Sequence, residues 1–179
     1  MEPENLYALQ YPIGKFEAPE TISDDMLKNS IQQIRDLPAD IEQEIKNCNR
    51  KDLSKIYRLG GWSIKQVVNH LADSHAICHS RFKLALTEDL PTIKPYQEAD
   101  WANLADGIMD DLSGASMMLA GIHIRWVILL ENMSNDDFNR KFYHPKNNKE
   151  YSLRLATGLY AWHGNHHLAH IKNALANNF

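Results

Sequence analysis

The sequence predicts an all-α fold, a four-helix bundle with long crossover connections, and three observations carry that expectation. Four stretches repeat apolar residues every three or four positions, strand signals are confined to short pieces such as 141–144, and glycine, proline and capping residues punctuate the connections. With 179 residues, 44% hydrophobic and 23% charged, the chain has the composition of one globular domain, expected to span 1–179.

The chain starts extended, through Tyr11-Pro12-Ile13-Gly14 to about Pro19. From about Ser23 to Asn47, Leu27, Ile31, Ile34, Ile41 and Ile45 recur at mostly helical spacing, and Pro38 either kinks or divides that helix. Gly60-Gly61 then breaks the chain, and Ser63-Ile64-Lys65-Gln66 has the S-x-x-Q form of a capping box. Ile64, Val67, Val68, Leu71, Cys78, Phe82 and Leu86 follow on one face of a second helix. The third helix, from about Ile108 to Met133, carries Leu112, Leu119, Ile122, Trp126 and Leu129, and the fourth runs from about Ser152 to Ala176. About twenty residues, Glu88 to Gly107, join helices two and three; at ~3.3 Å per residue they can span about 66 Å, against ~37 Å for a 25-residue helix. A crossover that leaves those two helices parallel is therefore feasible. Long loops in compact domains commonly cover a site, and Pro91, Pro95, Tyr96 and Trp101 suit an ordered lid, with a merely packed surface loop as the plain alternative.

Composition excludes several classes of function. A net charge of −4 and a pI near 6.1 give no basic field for nucleic acid or anionic lipid. Two cysteines, Cys48 and Cys78, with no C-x-x-C spacing suggest neither a disulfide framework nor a thiolate metal site, so a cytoplasmic location is expected. The start Met-Glu-Pro-Glu-Asn lacks the pattern of a secretory signal. The best apolar run, Ser116 to Leu130, is interrupted by His123 and Arg125, so no membrane insertion is expected.

The abnormal count is histidine. Four of the nine, His163, His166, His167 and His170, fall near the C-terminus and continue the stripe Ala156, Leu159, Tyr160 at helical spacing. At ~100° per residue they share about 100° of arc on a core-facing stripe. Two pairs, His163 with His167 and His166 with His170, have the i, i+4 relation that lets imidazoles share a metal. A catalytic metal wants a third protein ligand, which must come from another helix. The second helix offers His70, His75 and His79; periodicity alone favours His75, mid-stripe, over His70 on its flank. Taken singly, His75, His79, His123 and His144 read as ordinary core histidines whose nitrogens are satisfied by neighbours. Four imidazoles on one buried stripe are harder to explain so, because unpartnered buried polar groups cost free energy. Imidazole ligands suit zinc, nickel, copper and iron. Gly164 stands where an H-E-x-x-H protease has its Glu, and Asp73 on the second helix is the candidate base, with a structural carboxylate as the plain alternative.

Several stretches together resemble the YfiT branch of the DinB-like superfamily: Tyr11-Pro-Ile-Gly14, Gly60-Gly-Trp-Ser63, Asn69-His-Leu-Ala-Asp-Ser-His75, Arg81-Phe-Lys-Leu-Ala-Leu-Thr87, Phe142-Tyr-His-Pro145 and Leu159 through His170. They run in the same order from near the N-terminus to Ile171. The resemblance implies an up-down-down-up bundle, a cytoplasmic homodimer, and one divalent metal per subunit, Zn²⁺ first and Ni²⁺ second, held by three histidines. Carried over by motif, those ligands are His70, His163 and His167, which displaces the periodicity preference for His75. His170 stands where broader members carry Gln, and Asn69 and His79 also look like local departures. The implied function is a metal-dependent hydrolase that activates water on a small-molecule substrate. The wider superfamily includes thiol S-transferases acting with bacillithiol or mycothiol, so the runner-up is metal-assisted thiolate attack on an electrophile. A third reading makes the metal a staple in a non-enzymatic dimeric bundle.

Overall fold

The computed structural model describes residues 3–176. In chain order the elements are α1 (Pro3–Gln10), α2 (Asp24–Ile45), α3 (Arg50–Leu53), α4 (Ile64–Thr87), α5 (Glu98–Trp101), α6 (Ser113–Glu131), α7 (Asn135–Asn139), β1 (Lys141–His144), β2 (Lys149–Ser152) and α8 (Leu153–Ala176). The four long helices α2, α4, α6 and α8 are the four expected from apolar spacing. Four short helices and the second strand carried no readable periodicity.

Each long helix starts where its local chemistry sets it. Ser23 caps α2 by accepting the Met26 N–H at 3.2 Å, and Gln66 Oε1 accepts the Ser63 N–H at 3.0 Å at the start of α4. The third long helix begins five residues later than its apolar spacing suggests. Asp110 is held by Lys65 at 2.9 Å and lies 3.5 Å from Arg50, while Asp111 accepts the Ser113 N–H at 3.0 Å, so 108–112 stay outside the helix. Pro38 neither divides nor ends α2. It does remove one N–H, which leaves the carbonyl of Ile34, four residues earlier, without its helical donor.

Contacts between named residues fix the topology. Between α2 and α8 they ascend together: Asp24 with Arg154, Gln33 with Asn165, Glu44 with Lys172. Between α4 and α6 they also ascend, from the Lys65–Asp110 pair just before α6 through His75–His123 to Phe82–Trp126. Across α4 and α8 they run oppositely, with His70 against His167 and His75 against Tyr160, and it follows that α2 and α6 are antiparallel as well. The bundle is therefore up-down-down-up, with adjacent parallel pairs α2/α8 and α4/α6 and crossover connections between them.

Two apolar clusters fill the bundle. One holds Ile41, Ile64, Val68, Leu71, Leu119 and Ile171; the other holds Ile34, Phe82, Trp126, Leu130 and Leu153. Buried histidines, among them His75 and His123, occupy the level between the clusters. The connection 88–112 is ordered by three anchors. The Ile93 N–H donates to the Tyr143 carbonyl at 3.0 Å, the Tyr143 N–H donates to Pro91 at 2.9 Å, and Gln66 Nε2 donates to the Ala102 carbonyl at 3.0 Å. β1 and β2 form an antiparallel hairpin with Lys141 opposite Ser152, so Thr92 adds a short third rung beside Tyr143.

Among the described residues α6 is the one helix long and apolar enough to cross a membrane. In the bundle it buries His123, Trp126 and Leu130 inward, while Met117, Ile124 and Ile128 remain exposed on its outer face. A groove of about 960 Å³ runs between α2 and α6 beside that face, lined mainly by apolar side chains such as Ile41, Leu119 and Ile124.

Candidate metal centre

The chemistry sits in the smaller cavity of about 420 Å³, between α4, α8 and the segments Gln10-Tyr11 and Tyr57–Trp62. Its floor carries His70 from α4 and His163, His166, His167 and His170 from α8, and its walls include Tyr11, Tyr57, Trp62 and Trp162. Because α4 and α8 are antiparallel neighbours, His70 faces the turn that holds His163 and His167. Gly164 is what lets this turn lie close to α2, since a Cβ there would stand 2.4 Å from Leu37 Cδ2.

One nitrogen from each of His70, His163 and His167 lies within 4.8 Å of the others, the one such group of potential ligands among the described residues. His70 Nε2 and His163 Nε2 are 3.2 Å apart. Two imidazole nitrogens each about 2.0–2.1 Å from a tetrahedral ion stand roughly 3.3 Å apart, so the spacing fits a shared cation. The donor state fits as well. Burial pushes His70 down to about 4, and burial reinforced by the surrounding imidazoles holds His163 and His167 well below the usual histidine range. All three are therefore neutral at pH 7, with a lone pair available and no carboxylate in the set. Three protein nitrogens and an adjoining cavity leave room for a further ligand on a shared cation.

Behind the ligands lie more histidines. His75, fully buried, brings Nε2 to 3.1 Å from His163 Nδ1 and Nδ1 to 2.8 Å from His123 Nε2. His123 in turn uses Nδ1 on the carbonyl of Ile34. On the other side His170 places Nδ1 at 3.3 Å from His167 Nδ1 and Nε2 at 3.2 Å from the carbonyl of Gln10, and it stacks on Tyr57 with centroids 3.8 Å apart. His166 stacks on Trp162 at 4.7 Å. Periodicity thus located the more buried histidine of α4 in His75, at 0% exposure against 5% for His70, but it does not report where lone pairs point. His123 was left without a role by sequence reasoning, although it continues the inward row Leu119, Trp126, Leu130.

Asp73 lies one turn after His70, half-buried, and does not line the cavity; burial first and then Asp106 raise its carboxyl. The carboxylate that does line the cavity is Glu98, on α5 of the long connection. His144 sits in β1, and His79 is buried on α4; neither joins the cluster.

Comparison with known proteins places this geometry among relatives. The sequence model described as the DinB superfamily matches residues 33–171. A Bacillus cereus protein named "Putative metal-dependent hydrolase" is 47% identical over 163 residues, covering 91% of this chain and 93% of the relative, and a relative in Bacillus thuringiensis bears the same description at the same identity and coverage. Among solved structures, YfiT from Bacillus subtilis, described as "a probable metal-dependent hydrolase with an unusual four-helix bundle topology", superposes with a TM-score of 0.89 at 42% identity, over 92% of this chain and 94% of that one.

Proposed function

The chain belongs to the DinB superfamily, and on that premise we propose that it is a metal-dependent hydrolase of a small-molecule substrate. His70, His163 and His167 are the proposed metal ligands. The observation that carries the reading is the convergence of three neutral imidazoles, with no protein carboxylate or thiolate among them, on one side of an aromatic cavity. A divalent ion on such ligands supplies Lewis acidity and lowers the pKa of bound water towards ~7. Zinc is the first candidate and nickel the second, since imidazole suits both.

The chain's own residues then have separable tasks. Tyr11, Tyr57, Trp62 and Trp162 shape an aromatic wall against which a flat or apolar part of the substrate packs. The long connection, anchored at Pro91, Ile93 and Ala102, brings Glu98 to the rim. Glu98, the carboxylate that lines the cavity, is the proposed proton acceptor, and Asp73, half-buried outside that lining with its carboxyl raised first by burial, is the second candidate. A homodimer is proposed through the exposed α6 face, where a second copy would cover Met117, Ile124 and Ile128.

Metal content tests the base of this reading: wild type should retain about one zinc or nickel per chain after dialysis, and His163→Ala should lose it. A wild type that takes up neither ion refutes the proposal. Thiol transfer remains the second reading because the same ligands would favour a bound thiolate. Turnover of a fluorogenic electrophile only when a low-molecular-weight thiol is added would select it over hydrolysis.

A further inference from the structure

Two main-chain carbonyls without helical donors lie at the far ends of the histidine contacts. The first is Ile34, whose partner N–H is missing because residue 38 is proline. The second is Gln10, the last residue of α1, where a helix necessarily leaves carbonyls open. A carbonyl can only accept, so the imidazole nitrogen facing it must carry the hydrogen, and in a neutral ring the other nitrogen must then be an acceptor.

From Ile34 the assignment passes inward without a free choice. His123 donates Nδ1–H to Ile34 and leaves Nε2 bare; His75 must donate Nδ1–H to that Nε2 across 2.8 Å and leaves its own Nε2 bare. His163 must therefore donate Nδ1–H to His75 across 3.1 Å, which leaves the His163 Nε2 lone pair on the side of His70. From Gln10 the route is shorter. His170 donates Nε2–H to the carbonyl, its Nδ1 accepts Nδ1–H from His167, and the His167 Nε2 lone pair is left free. His70 has no Nδ1 partner among the described residues; the Trp62 ring, 4.7 Å away, is its neighbour.

We propose that Pro38 and the end of α1 set the tautomers of two metal ligands through separate imidazole relays, making His75, His123 and His170 positioning residues that present two Nε2 lone pairs before any cation arrives. The proposal rests on the ligand assignment above. Ligating histidines usually hand their second N–H to a carboxylate or carbonyl. Here neutral rings stand between ligand and carbonyl, so orientation is transmitted while no negative charge is brought up behind the cation.

The test reads tautomers directly in the metal-free protein, by long-range ¹H–¹⁵N correlation of the imidazoles at pH 7.5. Wild type should show His163 and His167 protonated at Nδ1. His123→Leu should release the fixed tautomer of His163 but leave His167 unchanged, and His170→Leu should do the reverse. Zinc affinity, measured by competition with a chromophoric chelator, should fall about 10- to 100-fold in His123→Leu. His123→Gln, whose amide can donate to Ile34 and accept from His75, should recover most of that loss. Protonation of His163 or His167 at Nε2 in wild type overturns the proposal, as does wild-type zinc affinity in folded His123→Leu. If that variant does not fold, the wild-type tautomers decide alone. Correct tautomers in a protein that binds no metal would leave the relays standing and sink the proposed function instead.

Discussion

Acid should unfold the metal-free protein through its buried imidazoles. Burial holds His70, His123 and His170 at about 4, while the unfolded chain titrates them near 6.5. Between those values the unfolded state binds protons that the folded state refuses, so the stability is complete above about pH 6.5 and is lost as pH falls towards 4. At pH 5 each of the three groups removes about 2 kcal/mol relative to pH 7, together about 5–6 kcal/mol. That is comparable to the whole stability of a typical domain, ~5–15 kcal/mol. His75, His163 and His167 are lowered further and act in the same direction. The carboxylates held down by capping or pairing, Asp52, Asp110, Asp111 and Asp137, lose their contribution below their ordinary value of 3.8, outside this window. Urea unfolding followed by circular dichroism at pH 7.5, 6 and 5 should give a free energy falling by at least roughly 4 kcal/mol per pH unit near pH 5, the slope of three protons, with His75, His163 and His167 steepening it. His123→Gln should lose about one proton of that slope. A free energy that stays flat from pH 7.5 to 5 would refute the claim that these rings are held neutral by the fold.

Three further perturbations have defined signs. Gly164→Ala gains about 1 kcal/mol of helix propensity but forces a methyl against Leu37, itself 2% exposed, at an overpacking cost of ~1–3 kcal/mol. The net loss should lower the midpoint of thermal unfolding by a few degrees and weaken zinc binding at the adjacent ligand. Pro38→Ala returns an N–H that competes with His123 for the Ile34 carbonyl. Calorimetry should find no loss of stability while chelator competition finds weaker zinc binding, and unchanged affinity would count against the relay. Ile124→Asp places a charge on the exposed α6 face, 63% accessible in the single chain. Sedimentation should show wild type as the proposed dimer and the variant as a monomer; an unchanged sedimentation coefficient would remove that face as the interface.

The four long helices were legible because each carries enough turns for apolar spacing to repeat, and Ser63-x-x-Gln66 marked one start to the residue. The short helices were not, since α3, α5 and α7 have four or five residues, barely one turn of pattern, and the eight of α1 give little more than two turns; α7 nonetheless carried a local signal in Ser134-x-x-Asp137, which forms a capping box. The start of α6 was misplaced for a tertiary reason. Ile108 and Leu112 keep helical spacing, but the pull of Lys65 on Asp110 comes from 45 residues away and leaves no local trace. At the site, the i, i+4 spacing put His163 and His167 on one face without difficulty. Choosing between His70 and His75 was beyond periodicity, because a helical wheel measures burial and both rings are buried. The link from Pro38 to His123 was also hidden. The missing N–H is written in the sequence, but its consequence appears only when α6 is packed against α2.

The parallel pairing of α2 with α8 and of α4 with α6 also bears on how the chain acquires its structure. Neighbours that run the same way cannot be joined by a tight turn, so the contacts that fill the bundle link segments far apart in sequence; Asp24 and Arg154 are separated by 130 positions. Such distant contacts slow folding, because loop-closure entropy must be met before they form. His70 and His163 are 93 residues apart. An ion held between them ties together positions about half the chain apart and, binding the folded state alone, stabilises it by RT ln(1 + [M]/Kd), about 4 kcal/mol at a thousandfold excess over Kd. Metal supply should therefore set how much of the protein stays folded under stress, quite apart from any chemistry the bound ion supports.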